Sequence, residues 1–292
     1  GLRSADAFLA KFAVLRHFFL SPEIIARITR EAILDAAADR VRYLELRFNP
    51  VALSARNSLT PAQACRCVQQ ASAEAAAESG IDVRLIISIN RSEPERAKEL
   101  LAIACESVND GITGLDLSGD EVNAPADPFI DLFDRARSAG LDISVHAGEW
   151  TGPENIRFAI RELNATRIGH GIGILGDAEL IDLARRRETL FELCITSNHL
   201  TAAIAVKEKH PIRELTQDHG LATTLNTDDP SILDITLSDE FGFAQNRLGL
   251  TLGELQAMNL RAARRAFLDE TSRDKLIADL RREYDEVDDL PV

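Results

Sequence analysis

His146 and Glu149 lie three residues apart in the stretch VHAGE (145–149). An imidazole can bind a metal through a ring nitrogen, and a carboxyl in the same cavity can serve as acid or base. Read alone, the pair fits equally well a buried histidine held by hydrogen bonds. His170 sits between Gly169 and Gly171, which let the backbone approach closely and bare the ring; an ordinary turn would use the same residues. In Asn226-Thr227-Asp228-Asp229-Pro230, two adjacent carboxylates follow an apolar run. They repel each other unless cations, protons or a ligand's donors take them up, the alternative being an Asx turn ahead of Pro230. The stretch GLDLSGDE (114–121) puts Gly119 just past a strand-like run, where its N–H can face a ligand or simply open a charged loop. Glu45 and Arg47 alternate along one strand face, which reads as a buried ion pair. His17, His199, His210 and His219 fit plain structural roles, with His210 preceding a proline and His219 a glycine.

Such residues need a frame that brings them together. Seven strand-like runs recur: Val41–Phe48, Asp82–Ile89, Ile112–Ser118, Leu141–Ala147, Thr166–Gly171, Thr189–Thr196 and Leu221–Asp228. Helical stretches separate them, the pattern of buried parallel strands. Thr60-Pro61-Ala62-Gln63 predicts a capping box closed by Gly80, and Ser21-Pro22, Asp127-Pro128 and Gly152-Pro153 predict further helix starts. Nearly every strand candidate ends in a polar side chain: Glu45 and Arg47, Asn90, Asp116, His146, His170, Ser197 and Asn198, Asp228 and Asp229. A (β/α)8 TIM-type barrel gathers its C-terminal strand ends at one mouth, whereas an open doubly wound sheet concentrates a site at one switch point. No G-x-G-x-x-G and no P-loop occurs, so an α/β barrel is expected as a single domain over residues 1–292. It is counted at seven strands, and the eighth is expected upstream of Gly1.

The 292 residues carry 47 Asp+Glu against 33 Lys+Arg, a formal net charge of −14. That balance argues against nucleic acid and anionic membranes as partners, and weakly against a highly phosphorylated substrate. No apolar run nears the roughly 20 residues that span a bilayer. Four cysteines make no disulfide framework, and a reducing, cytoplasmic setting is expected.

Taken in order, YLELRFNP (43–50), GLDLSGDE (114–121), VHAGE (145–149), RIGHG (167–171), TSN (196–198) and LNTDDP (225–230) resemble the adenosine deaminase family. TSN and HPIREL (210–215) look more like bacterial adenosine deaminases than adenine-base deaminases. The resemblance implies a zinc-dependent barrel hydrolase that turns adenosine or deoxyadenosine into inosine products and ammonia. It implies His146 and Asp228 as zinc ligands and Glu149 as the acid that protonates purine N1. His170 would hold the attacking water and assist its deprotonation, Asp229 would bond N7, and the Gly119 N–H would meet N3. The family also carries H-x-H at the end of its first strand, supplying two further ligands. None of the six histidines here forms that motif. Weak or absent zinc occupancy and impaired turnover are therefore expected of these residues, because a catalytic zinc normally has three protein ligands. Two alternatives stand beside this one: a deaminase of another 6-aminopurine, free adenine or a modified nucleoside, and a metal-free purine-binding barrel.

Overall fold

The computed structural model describes residues 4–288. Seven strands run in chain order in one sheet: β1 (Tyr43–Phe48), β2 (Asp82–Asn90), β3 (Ile112–Ser118), β4 (Asp142–Ala147), β5 (Arg167–His170), β6 (Leu190–Leu193) and β7 (Ala222–Leu225). Every neighbouring pair is parallel, so all C-terminal ends point the same way. The sheet curls. Inward side chains of β1 reach partners on β5 and β6, which are not its ladder neighbours: Arg167 Nη2 lies 2.5 Å from Glu45 Oε2, and Arg47 Nη2 lies 2.5 Å from Glu192 Oε2. This is the wall of an α/β TIM-type barrel with the seven strands expected. Among the described residues, the outer edges of β1 and β7 carry no further strand.

Helices cover the outside of the wall. The helix Pro61–Ser79 joins β1 to β2 and buries Ala64, Val68, Ala71 and Ala75, a spacing that keeps one stripe against the sheet. Its capping box and its left-handed Gly80 cap stand as the sequence predicts. Ser21 caps Pro22–Ala38 with its hydroxyl oxygen accepting from the Ile24 N–H at 3.4 Å. Between helices and sheet, Ile87, Ile89, Leu115, Leu117, Val145 and Ile168 are fully buried, and each contributes about 1.5–3 kcal/mol of hydrophobic stabilisation. No helix among the described residues is long and apolar enough to cross a membrane.

Two expectations need correction. Glu45 and Arg47 do not pair with each other. Each inward residue finds its partner across the barrel, because strand neighbours two apart sit side by side rather than face to face. The run Thr189–Thr196 is strand only to Leu193; Ile195–Leu200 is helical, with the Thr196 N–H donating to the buried Glu240 carboxylate at 3.2 Å. The acidic C-terminal stretch is the helix Glu270–Asp288. It is held by Arg42–Glu283 at 2.9 Å and by Asn259 Nδ2 donating to the Tyr284 hydroxyl at 2.9 Å.

Candidate active site

The strand ends of β4, β5 and β7 bring four of the anticipated residues together, His146, Glu149, His170 and Asp228. One ligand atom from each of His146, His170 and Asp228 lies within 4.8 Å of the others. The His146 and His170 rings meet edge to face at 5.2 Å between centroids. Glu149 Oε2 lies 3.5 Å from His170 Nε2. Asp229 follows Asp228 into the same region, where the Asp228 carboxylate, His146 and Glu149 all act on it electrostatically. Gly119 sits directly past β3 at φ +100, and a Cβ there would come within 2.6 Å of Asn90 Oδ1. Only glycine fits that backbone and that approach.

The chain spends strain and small residues to hold this arrangement. His170 and Asp228 have φ of +62 and +63, a left-handed conformation uncommon for residues bearing a Cβ. The two glycines around His170 act for its neighbours. A Cβ on Gly169 would lie 3.1 Å from Cγ of the His146 ring, and one on Gly171 would run into Phe191.

Each acid or base is anchored from behind. Asp116, fully buried on β3, lies 3.0 Å from His146 Nδ1 and also accepts from Ser88 Oγ at 3.1 Å. Burial would raise the Asp116 carboxyl, but His146 and Arg47 outweigh it and hold its pKa at about 2. Burial works against charge on His146, and the Asp116 carboxylate outweighs that and lifts its pKa to about 9. Ser197 Oγ donates to Asp228 Oδ2 at 2.6 Å. The loop after β4, which carries Glu149, is fastened by Glu121, whose carboxylate accepts from the backbone N–H of Gly148 at 2.7 Å and of Trp150 at 2.6 Å. The Arg91 guanidinium donates to the His146 carbonyl oxygen. Glu149 itself is buried; its Oε1 accepts from Asn198 Nδ2 at 3.2 Å and Thr201 Oγ1 at 2.8 Å. Burial pushes the Glu149 carboxyl up against the pull of His170, and burial together with Asp228 pushes Asp229 well up.

The donor set suits a divalent metal. A histidine whose Nδ1 is tied to a carboxylate presents Nε2 outward, the usual support for a metal-bound imidazole, and His146 with Asp116 has that form beside the Asp228 carboxylate.

Residues 2–283 match the profile of the family described as adenosine deaminase. An adenosine deaminase of Serratia proteamaculans is 38% identical over 260 residues, 87% of this chain and 77% of that protein. One of Klebsiella pneumoniae is 35% identical over 271 residues, covering 93% and 81% of the two chains. The chain belongs to the adenosine deaminase family. It is an aminohydrolase, and purine deamination is its reaction class. Among solved structures, an amidohydrolase of Burkholderia ambifaria with bound zinc superposes with a TM-score of 0.88 at 27% identity, covering 95% of this chain and 78% of that one. Arabidopsis ADAL in complex with IMP gives 0.88 at 26%, covering 97% and 84%. An adenine deaminase of Arthrobacter aurescens shares the fold at 0.90 and 24%, covering 97% and 86%.

Within this family site, sequence reasoning passed over Thr201 and His210. His210 is buried, with Nε2 lying 3.1 Å from Asn198 Oδ1 and Nδ1 accepting from the Ile212 N–H at 3.2 Å. The one signal it left is its place in HPIREL (210–215), a stretch noted only for its family likeness.

Proposed function

We propose that the protein hydrolyses adenosine and deoxyadenosine to inosine, or deoxyinosine, and ammonia, with His146 and Asp228 holding a zinc ion. The observation that carries this reading is the meeting of an Asp116-backed His146, Asp228 and a Glu149 whose carboxyl burial pushes up, at one mouth. Zinc, when bound, supplies acidification of a coordinated water, to a pKa of about 7. All else is done by side chains. Glu149 gives its proton to purine N1, which draws electron density from C6 and offsets the charge that builds as the ring loses aromaticity. His170 Nε2 faces the same space and holds the attacking water. Asp229 in its acid form donates to N7, a pure acceptor, which the upward push on its carboxyl supports. The Gly119 N–H meets N3. Of the two protons the water brings, one departs with the amine as ammonia and the other restores Glu149.

Nucleosides are preferred here over nucleotides because a net charge of −14 repels phosphate esters, although ADAL, at 26% identity, is complexed with IMP. A panel of adenosine, deoxyadenosine, adenine, AMP and N6-methyl-AMP, read by ammonia release from the zinc-loaded protein, tests this. The nucleosides should show the highest kcat/KM; a leading rate on AMP or adenine would overturn the substrate assignment. With His170 kept for the water, this reading leaves His146 and Asp228 as zinc ligands among the described residues, fewer than the three protein ligands usual at catalytic zinc, so these residues should hold zinc weakly and turn over slowly. A zinc titration that saturates at one tight equivalent would overturn that.

A further inference from the structure

We infer that His210 is a positioning residue: it orients the Asn198 amide, and through it sets the proton of His170 on Nε2 and that of Glu149 on Oε2. The inference deepens the deaminase reading and rests on it for its consequence, though not for its geometry.

The argument begins at a backbone group that has no freedom. The Ile212 N–H can only donate, and it points at His210 Nδ1 at 3.2 Å, so that nitrogen carries a lone pair. In a neutral imidazole the proton is then on Nε2. The ring is buried, and burial with the nearby His170 drops its pKa to about 3, so neutral is its state near pH 7. Nε2–H therefore donates to the Asn198 oxygen at 3.1 Å. With its oxygen taken, Asn198 turns its NH2 the other way. There Nδ2 meets two acceptors, His170 Nδ1 at 3.1 Å and Glu149 Oε1 at 3.2 Å. His170 thus keeps its lone pair on Nδ1 and its proton on Nε2. Glu149 Oε1 is filled by Asn198 and by Thr201, so the proton of the acid form is left on Oε2, the oxygen that faces His170 Nε2 at 3.5 Å. From the Ile212 N–H to the Asn198 NH2 each donor in this line has an acceptor, and a flip of the amide would set its NH2 against His210 Nε2–H and its oxygen against the acceptors on His170 and Glu149. On the deaminase reading His170 then meets the attacking water as a hydrogen-bond donor, and Glu149 keeps Oε2 as the oxygen that can carry the proton.

The test is nitrogen NMR on the chain labelled with 15N-histidine, with the His170 signal assigned by its loss in His170→Gln. The native protein should show His170 with hydrogen on Nε2 alone. His210→Phe removes the donor while filling the space, and should give a mixture of His170 tautomers. His210→Gln restores an N–H toward Asn198 and should return the single tautomer. Asn198→Asp, which presents only acceptors, should move the His170 proton to Nδ1. In the zinc-loaded protein, His210→Phe should lower kcat about 10- to 100-fold, the size expected when a supporting hydrogen bond is lost, with KM nearly unchanged and His210→Gln close to native. An unaltered tautomer in both His210→Phe and Asn198→Asp overturns the inference, as does a native His170 protonated on Nδ1. The spectrum does not depend on turnover. A protein shown to be zinc-loaded that deaminates none of the purines in the panel yet shows these tautomers would sink the deaminase reading and leave the hydrogen-bond line standing.

Discussion

Two clusters of buried charge lie within the same barrel, one inside the wall and one at its mouth, and they are put to opposite uses. In the inner cluster Glu45, Arg167, Glu192 and Arg47 alternate in sign. Arg167 lies between Glu45 and Glu192, Arg47 lies on Glu192, and Ser144 donates to Glu192 at 3.2 Å. Arg167 also stacks on Phe267, 3.4 Å from the ring centroid. Each carboxylate faces a guanidinium, and burial notwithstanding, Arg47 and Arg167 hold Glu192 below the usual carboxylate range. At the mouth, Glu149, Asp228 and Asp229 have no guanidinium or ammonium paired with them among the described residues. There Glu149 and Asp229 are pushed up instead. The inner cluster is electrically closed and builds the wall. The outer one has carboxyls without a guanidinium or ammonium partner among the described residues, and its surroundings favour the acid form of Glu149 and Asp229. Asp116 joins the two, 4.0 Å from Arg47 on one side and 3.0 Å from His146 on the other.

Substitutions should separate the two clusters by what they damage. The largest effect is expected from Glu149→Gln, which keeps shape but cannot release a proton. Turnover should fall about 10²- to 10⁴-fold, the usual worth of a general acid, with zinc content and melting temperature unchanged. Near-native turnover would exclude the acid role. Arg167→Leu should act the other way round, costing about 3–5 kcal/mol of stability because Glu45 is left buried without a guanidinium and Glu192 keeps only Arg47; chemical denaturation reads this directly, and a loss under 1 kcal/mol would show that the inner cluster is not closed in the sense described. Asp229→Ala should raise KM by about 10- to 100-fold, equivalent to one lost hydrogen bond to a ring nitrogen of about 1–3 kcal/mol. It should leave the melting temperature equal or higher, since it removes a carboxyl that has no cation paired with it and that its surroundings disfavour. A drop in stability like that of Arg167→Leu would erase the contrast.

The smallest effect concerns acid. The folded-state pKa of His210, about 3, lies below the value of about 6.5 for an unfolded histidine. The unfolded chain therefore takes up a proton first, and the stabilisation is complete above pH 6.5 and lost as pH falls toward 3. The slope should be about 1.4 kcal/mol per pH unit from this one group. Comparing unfolding free energies at pH 7 and pH 5 in native protein and in His210→Gln isolates it. Identical slopes would show that His210 does not stay neutral in the fold.

Much of this was legible before any coordinates. Seven strand runs announced themselves through short apolar stretches, and Thr60, Pro61 and Gly80 marked a helix whose ends stand where they point. His146, His170, Asp228 and Glu149 were readable as chemistry because each sits at a strand end, and barrel strand ends converge. The partners of Glu45 and Arg47 were not readable, since a residue's inward neighbour lies across the barrel at a distance no local pattern encodes. The helical turn at Ile195–Leu200 was hidden for a like reason: Glu240, 44 residues on from Thr196, accepts its N–H. His210 looked like an ordinary histidine before proline, because its role lies in two hydrogen bonds whose directions sequence does not carry.

By itself, then, the order of residues determined which elements form and which side chains stand at their ends, for those follow from local periodicity, capping and turn chemistry. The tertiary structure alone decided which charges are neutralised and which left hungry, which way the Asn198 amide faces, and where the proton of His170 resides. Those are outcomes of distance and direction in a buried medium, where moving a donor by one position turns a satisfied group into an unsatisfied one.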